Sequence, residues 1–204
     1  MELLPTQDEV LRILRDTGAL RDGHFEYPTG LHTNEYLQVP LALRYYQNTK
    51  TLGVSLSRLL RANPEIRAIA SQLSIVSPTT GGVPLAFSMC EALRAHQVYW
   101  LERPDDTHPM RLRQYLEPIP NEPVVMVDDV LRSGRKFREL KDLLEAGGAH
   151  VVGLAAVIFQ PTPQMVDLGD IPRYYLAQIN PTYYTDAAEC ALCREGVPLE
   201  KVWI

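Results

Sequence analysis

Cysteine is scarce in this chain, with 3 residues among 204. Three cysteines form no even framework of disulfides, which argues against the class of small secreted domains that such bridges hold together. Long apolar runs are also missing: none approaches the roughly 20 residues that cross a bilayer. The first ten residues, MELLPTQDEV, lack the positive-then-apolar order of a signal peptide. We therefore expect a cytoplasmic protein with no membrane partner and with reduced thiols.

An excess of basic residues is missing as well. The chain has 20 lysines and arginines against 25 aspartates and glutamates, a formal net charge of -5. Nucleic acids and anionic membranes are held mostly by basic surface, through the release of counterions. We therefore expect no nucleic-acid partner, while a local basic patch for a small phosphate stays compatible with this charge.

The composition that remains is typical of a water-soluble globular protein, with 46% hydrophobic and 22% charged residues and no internal repeat. A chain of 204 residues can bury a sizeable core without cross-links. We predict a single domain over residues 1–204, with an N-terminal helix and hairpin lobe over about 1–45, a core over about 46–180 and a C-terminal tail over about 181–204.

Local signals predict the first elements. Thr6 and Glu9 form the pattern of a capping box, which opens a helix that should end near Gly18. Short apolar and aromatic runs flank a turn at Pro28-Thr29-Gly30. They predict a small antiparallel hairpin between residues 24 and 39, forming a lobe outside the main sheet.

Further along the chain, segments with helical spacing alternate with short apolar runs. Helices are predicted over 49–62, 82–95 and 133–146, and strands within 69–76 and over 98–101, 124–127, 150–158 and 174–179. Strands separated by helices of this length predict an α/β fold, with a parallel sheet flanked by helices and right-handed crossovers.

A polar segment from Pro104 to Pro120 interrupts this alternation and contains His108, Arg111 and Arg113. A connection this long inside a domain is more often a lid or binding loop than an idle linker. A surface excursion without a role is the alternative, and His108 is then a solvated loop residue.

The most informative stretch is PVVMVDDVLRSGRK, from Pro123 to Lys136. An apolar strand ends in Asp128 and Asp129, and a short loop with a hydroxyl, a glycine and cations then opens a helix. Ligands of open α/β sheets bind at the carboxyl ends of strands, and helix N-termini present unpaired amides to anions. Both features predict an anion site here.

The paired acids narrow the class of ligand. Two carboxylates would repel a phosphate, so they are better suited to accept hydrogen bonds from vicinal hydroxyls or to hold a divalent cation. A ribose phosphate meets both requirements. On these residues alone, the alternative is that Asp128 and Asp129 end a strand and cap the next helix.

The same stretch resembles the phosphoribosyl-pyrophosphate (PRPP) signature of type I phosphoribosyltransferases, in which an apolar strand and two acids precede Thr-Thr-Gly-Gly-Thr/Ser. Other segments are similar, in order, to one branch of that family, the orotate phosphoribosyltransferases. These segments are Gly18 to Leu20, Gly23 to Phe25, Thr29 to Thr33, Ser77 to Pro84, Phe137 to Glu139 and Cys190 to Leu199. The resemblance spans nearly the whole chain.

The resemblance implies a type I phosphoribosyltransferase fold with a small N-terminal hood. It implies an enzyme of pyrimidine nucleotide biosynthesis that transfers the 5-phosphoribosyl group of Mg-PRPP to orotate, giving orotidine monophosphate and pyrophosphate. It also implies Mg2+ as cofactor and a homodimer. Such a reaction depends on positioning, charge neutralisation and exclusion of water rather than on a side-chain nucleophile.

The resemblance also implies roles for numbered residues. Asp128 and Asp129 would meet the ribose hydroxyls, with Mg2+ held only indirectly through PRPP, and Arg103 would join them in catalysis. PRPP and its phosphates would be bound by Thr80, Gly81, Gly82, Arg132, Ser133, Gly134, Arg135 and Lys136. Arg138, Tyr36 and Leu37 would bind the base, and His108, Arg111 and Arg113 would belong to the lid.

The phosphate loop departs from the family pattern at Arg132, Arg135 and Lys136, which replace small residues. Small residues let amides and hydroxyls close around a phosphate. The three cations either point away from the loop, fill the phosphate volume themselves or bind a different phosphate through bidentate contacts. A non-catalytic nucleotide-binding or phosphate-binding regulatory module and a purely structural dimeric partner are therefore the alternatives to an enzyme.

Cys190 and Cys193 have the spacing of metal ligands, but a structural zinc site needs four and the sequence has no second CxxC. We therefore expect unmetallated thiols. His24 and His32, in the predicted hairpin, have either a hydrogen-bonded structural role or a contact with substrate.

Overall fold

Helices and strands alternate through a computed structural model that describes residues 4–78, 80–105, 107–112, 116–162 and 164–202. The helices are α1 (Gln7–Asp16), α2 (Pro40–Leu43), α3 (Tyr46–Ala62), α4 (Pro64–Ala68), α5 (Val83–Leu93), α6 (Arg135–Ala146) and α7 (Ala191–Arg194). The strands are β1 (Leu20–Glu26), β2 (His32–Leu37), β3 (Ser74–Ser77), β4 (Gln97–Trp100), β5 (Pro123–Leu131), β6 (His150–Phe159), β7 (Arg173–Gln178), β8 (Tyr183–Tyr184) and β9 (Glu200–Lys201). No helix within those ranges is long and apolar enough to span a bilayer.

Five parallel strands form the main sheet in the order β4-β3-β5-β6-β7. This confirms the predicted α/β class with a parallel sheet. Side chains of β5 alternate between the two faces: Val125 and Val127 pack with α1, α3 and α5, while Val124 and Met126 pack with α6. A strand buried on both faces is apolar at every position, which explains the continuous run that marks β5 in the sequence.

The first helix begins as predicted. Thr6 Oγ1 accepts a hydrogen bond from the Glu9 amide at 3.3 Å, and the Glu9 carboxylate accepts one from the Thr6 amide at 2.8 Å. This reciprocal capping box satisfies two amides that the first turn leaves unpaired. Val10 and Leu14 are fully buried, so the helix is anchored to the core through one face.

Asn63 and Pro64, which directly follow the helix predicted over 49–62, separate two helices. Tyr46 is the first residue of α3, three residues before the predicted start, and α3 ends at Ala62. The Asn63 side chain accepts a hydrogen bond from the Glu65 amide at 2.9 Å, and Pro64 occupies the first position of α4. Proline is tolerated there because that amide has no partner within the helix.

The N-terminal hairpin is confirmed and is larger than predicted. β1 and β2 pair antiparallel, and the C-terminal strands β8 and β9 join them in the order β8-β2-β1-β9. We call this four-stranded sheet the hood. The tail therefore belongs to the same sheet as the N-terminal lobe.

The strand predicted over 124–127 is longer in the structure, where β5 reaches Leu131. Asp128 and Asp129 thus lie within the strand rather than beyond its end, and that expectation was wrong. The extension is stabilised on one side, because β6 pairs with β5 as far as Leu131. On the other side β3 pairs only as far as Met126, so the two acids project past the end of β3.

Candidate active site

The order of the main sheet places a crevice between two strands. The chain runs from β3 through α5 to β4 on one side of β3, and then crosses to β5 on the other side. The carboxyl ends of β3 and β5 therefore diverge into connections on opposite sides. Open α/β sheets bind their ligands at such a point.

A cavity of about 600 Å³ lies at this crevice. The residues that contribute to its lining include Leu37, Gln38, Pro40, Thr80, Gly81, Asp128, Asp129, Arg132, Ser133, Gly134, Lys136 and Phe137. The first three follow or end β2 of the hood, so the hood covers one end of the cavity. The loop between β5 and α6 covers the other.

Asp128 is the most buried acid of the cavity, with 2% of its surface exposed. Burial raises the pKa of its carboxyl well above the usual range, the Asp129 carboxylate raises it further and Lys136 partly offsets the shift. The Asp129 amide donates a hydrogen bond to Asp128 Oδ1 at 3.0 Å. A ligand that brings hydroxyl donors or a cation would lower the free energy of this buried charge.

The glycine loop after β3 approaches the two acids closely. A Cβ atom added to Gly82 would lie 2.6 Å from Ser77 Oγ and 2.8 Å from the Asp128 Cα. A Cβ added to Gly81 would lie 3.4 Å from Asp129 Oδ1, which is an ordinary contact. Only glycine fits at position 82, and its absence of a side chain lets this loop seat against the end of β5.

The loop between β5 and α6 ends in a glycine with a positive φ of 74° at Gly134, the cap residue of α6. A side chain at this φ would be strained. The Ser133 carbonyl accepts a hydrogen bond from the Val166 amide at 2.8 Å, which holds the loop from outside the cavity. The first amides of α6, a helix of 12 residues, are therefore presented next to Ser133 and Gly134.

The three cations of the loop take different directions. Arg132 Nη2 donates a hydrogen bond to the Leu37 carbonyl at 2.7 Å, and its Nε donates one to Gln160 Oε1 at 2.6 Å. Arg135 lines a separate depression of about 420 Å³, whereas the exposed Lys136 lines the cavity. Arg132 thus lines the cavity at its hood end and Arg135 lines the separate depression, and neither fills the cavity.

Arg138, predicted to bind the base, and Arg103, predicted to take part in catalysis, lie outside the cavity. Arg138 lines the same separate depression as Arg135, and its Nε is buried with no hydrogen-bond partner in the described part of the chain. Arg103 forms an ion pair with Glu139 of α6, and its Nη1 donates to the His108 carbonyl at 2.9 Å. Arg103 and Arg111 line a third depression, of about 310 Å³, which shares Thr80 with the cavity.

The remaining predicted residues divide between the lid and the hood. His108 Nδ1 lies 2.7 Å from Asp105, and hydrogen bonds from Thr107 and then His108 lower the pKa of Asp105 to about 2. Tyr36 is buried in the hood against Phe25, with ring centroids 5.6 Å apart, and only its neighbour Leu37 lines the cavity. Arg113 falls outside the described residues, as does Thr79 of the glycine loop.

Sequence reasoning missed Gln160 and Gln38. Gln160 is fully buried and directly follows β6, the neighbour of β5, and it orients the Arg132 guanidinium. Its position after a predicted strand was a usable signal, since the carboxyl ends of parallel strands share one edge of the sheet. No comparable signal marked Gln38, because the sequence of the hairpin does not show which end of the hairpin faces the main sheet.

No family model matches the chain. It is similar to curated proteins, among them the orotate phosphoribosyltransferase of Carboxydothermus hydrogenoformans, with 33% identity over 193 residues, 95% of this chain and 95% of that protein. The orotate phosphoribosyltransferase of Heliobacterium modesticaldum is 32% identical over 196 residues, 96% of this chain and 97% of that protein.

Solved structures show the same fold. The crystal structure of orotate phosphoribosyltransferase from Aeropyrum pernix matches with a TM-score of 0.64 and 17% identity, covering 83% of this chain and 93% of that chain. Orotate phosphoribosyltransferase of Mycobacterium tuberculosis, in complex with inorganic phosphate, matches with a TM-score of 0.60 and 16% identity, covering 84% of this chain and 95% of that chain.

Proposed function

This chain belongs to the orotate phosphoribosyltransferase family, and from that premise we propose that it transfers the 5-phosphoribosyl group of PRPP to orotate in the cavity between the hood and the main sheet. Orotate N1 forms a bond to C1 of the ribose and loses its proton. The bond from C1 to the pyrophosphate oxygen breaks, and pyrophosphate leaves with the bonding electrons. The products are orotidine monophosphate and pyrophosphate.

The observation that carries this proposal is the open cavity beside Asp128 and Asp129. The two acids face a space that Ser133, Gly134 and the start of α6 border on one side and Gly81 borders on the other. A sugar phosphate needs acceptors for its hydroxyls and amides for its phosphate, and this arrangement offers both. We assign the ribose hydroxyls to the acids and the 5-phosphate to the Ser133 loop with Lys136.

The donor set also fits Mg2+. Carboxylate oxygens are the ligands that this ion prefers, and it is usually held through one or two carboxylates together with substrate phosphates. Asp128 and Asp129 would hold it through PRPP, where it would neutralise charge on the departing pyrophosphate. The raised pKa of Asp128 supports this assignment, since a nearby cation stabilises the buried carboxylate.

The base carboxylate is better served by Arg132 than by Arg138. Arg132 lines the cavity at its hood end, whereas Arg138 lines a separate depression. Hydrogen bonds to Leu37 and Gln160 use Nη2 and Nε of Arg132, and its Nη1 has no hydrogen-bond partner among the residues that the structure describes. A guanidinium fixed on two sides can present its free edge to a carboxylate without further loss of side-chain freedom.

The lid and the assembly complete the proposal. Arg103 and Arg111 lie next to Thr80, so a movement of the lid segment would bring cations to the pyrophosphate end of the cavity.

We further propose a homodimer, supported by exposed aromatic side chains at Tyr45, Tyr46 and Phe87. Light scattering after size-exclusion chromatography tests it. The cytoplasmic location stays a prediction.

The test of activity is direct. Purified protein is incubated with orotate, PRPP and Mg2+, and the loss of orotate is followed by its ultraviolet absorbance, with a reaction lacking PRPP as blank. We expect turnover that Asp129→Asn lowers strongly and that Asp8→Asn, an exposed change on α1, leaves unaltered. An absence of turnover with orotate overturns the proposal. Calorimetric binding of PRPP without turnover would favour the non-catalytic alternative instead.

A further inference from the structure

Two histidines of the hood and two cysteines of the tail meet in one cluster. His24 lies in β1, His32 in β2, Cys190 directly before α7 and Cys193 within it. Each offers one ligand atom, and these four atoms all lie within 4.8 Å of one another. The first three residues are 2%, 4% and 0% exposed and Cys193 is half-buried, so the cluster is closed to solvent on most sides.

Three of the distances between these ligand atoms match the edges of a tetrahedral metal site. Zinc binds thiolate sulfur at about 2.3 Å and imidazole nitrogen at about 2.0 to 2.1 Å, so the edges of its tetrahedron measure about 3.3 to 3.8 Å. His24 Nε2 lies 3.4 Å from Cys190 Sγ and 3.6 Å from Cys193 Sγ, and His32 Nδ1 lies 3.4 Å from Cys193 Sγ. The two ring nitrogens are closer, at 2.9 Å, a separation that an ion between them would widen slightly.

The orientation of His24 is that of a metal ligand. Its Nδ1 lies 2.9 Å from the Val197 carbonyl oxygen, so Nδ1 carries the proton and donates it there. The lone pair of Nε2 then points at the other three groups. Histidines that bind metals characteristically donate their second ring N–H to a carbonyl or carboxylate in this way.

Hydrogen bonding alone does not satisfy the cluster. His32 Nδ1 and the thiols of Cys190 and Cys193 all converge on His24 Nε2, which has one lone pair. A single lone pair accepts one good hydrogen bond, so the other donors compete for it in a buried place. A cation at the centre would use all four groups as ligands and remove this competition.

We propose that His24, His32, Cys190 and Cys193 form a structural zinc site that joins the tail to the hood. Two thiolates with two imidazoles in a tetrahedral arrangement favour zinc over harder cations such as Mg2+. Four protein ligands leave no open position for water or substrate, which is the property of structural rather than catalytic zinc. None of the four residues lines the cavity, so the site is separate from the proposed chemistry.

The sequence alone predicts unmetallated thiols, because it contains no second CxxC. The two remaining ligands are histidines, which stand 158 to 169 positions before the cysteines. Only the pairing of β9 with β1 and of β8 with β2 brings the tail to the hood. The ion would cross-link β1, β2 and the tail. All three belong to the hood, whose residue Leu37 lines the cavity.

The test measures metal in the full-length protein. Zinc per chain is determined by plasma mass spectrometry after purification and after incubation with Zn2+ and desalting, and the expected value is one. Replacement of zinc by Co2+ should give the intense d–d absorption of four-coordinate cobalt and a thiolate charge-transfer band. Folded wild-type protein that takes up no stoichiometric zinc and shows no such bands would overturn the proposal.

Variants separate this site from adventitious binding. Cys193→Ser should weaken the charge-transfer band and lower zinc retention against a competing chelator, while Cys90→Ser, which changes the cysteine outside the cluster, should retain zinc like the wild type. Equal zinc retention by both variants would refute the assignment. If Cys193→Ser does not fold, chelation of the wild type decides: removal of zinc must lower the Tm and its return must restore it. A Tm that is indifferent to zinc counts against the proposal.

Discussion

Arg132 Nη2 donates a hydrogen bond of 2.7 Å to the main-chain carbonyl of Leu37. This contact joins the loop after β5 to the hood, two segments separated by 95 positions in the chain. The guanidinium carbon also lies 5.9 Å from the centre of the Tyr27 ring, within range of a cation–π interaction. Arg132, one of three cations in place of small residues in the phosphate loop, therefore closes the cavity at its hood end instead of filling it.

The first prediction concerns this arginine. Arg132→Met should raise the KM for orotate by roughly ten- to a hundredfold, because a hydrogen bond to a charged group contributes about 1.5 to 3 kcal/mol. Steady-state kinetics with orotate varied at saturating PRPP measure it. Arg132→Lys should recover only part of the loss, since an ammonium lacks the planar fork.

The control for this prediction is Arg12→Met, an exposed change on α1 that should leave the KM for orotate unchanged. Arg138→Met tests the rival assignment of the base carboxylate. If it raises the KM for orotate more than Arg132→Met does, the base carboxylate belongs to Arg138 and our assignment is wrong.

The second prediction concerns the glycine loop. Gly82→Ala should lower the free energy of unfolding by about 1 to 3 kcal/mol, because its Cβ would collide with Asp128 and Ser77 and force a shift of the backbone. Gly81→Ala is the matched control for stability, since its Cβ has room. Thermal denaturation compares them, and equal Tm values for the two variants would contradict the close approach of Gly82 to Ser77 and Asp128.

The third prediction concerns the buried acid. Asp128→Asn should abolish most turnover and yet raise the Tm near neutral pH, because the variant no longer buries a charge beside Asp129. For a chain of this size each kcal/mol corresponds to about 2 to 4 °C. Asp129→Asn should lower turnover with a smaller gain in Tm. A loss of stability in Asp128→Asn would show that the wild-type carboxylate is well compensated without ligand.

The fourth prediction concerns pH. Burial raises the pKa of Glu35 above its ordinary value of 4.5, the neighbouring Asp22 raises it further and Arg15 partly lowers it. Between the unfolded and folded pKa values the native state binds more protons than the unfolded state, so stability falls as pH rises through that window. Below pH 4.5 Glu35 is protonated in both states, so it no longer lowers the free energy of unfolding.

Glu35→Gln should therefore be more stable than the wild type at pH 7 to 8, and the difference should vanish toward pH 4, as measured by Tm across the series. Asp22 pairs with Glu35 across β1 and β2, so Asp22→Asn should give part of the same gain. A wild type that is as stable as Glu35→Gln at pH 8 would rule out an uncompensated charge on the half-buried Glu35.

Local signals in the sequence determined much of this protein. The capping box at Thr6, the stop at Asn63-Pro64 and the apolar run into Asp128 and Asp129 depend on residues a few positions apart, whose preferences act before any tertiary contact forms. Together with the periodicity of the longer segments, they sufficed for the order of the main-sheet strands and the longer helices, the α/β class and the place of the cavity near the end of β5. The family followed from a different set of short segments, which resemble it in order from Gly18 to Leu199.

Only the tertiary structure decided the rest. The direction of Arg132 depends on a carbonyl of the hood and on Gln160, and the length of β5 depends on its pairing with β6. The cluster of His24, His32, Cys190 and Cys193 exists because the tail adds strands to an N-terminal sheet. Contacts between distant segments form only when the whole fold compensates the entropy of closing long loops, so no short stretch of sequence encodes them.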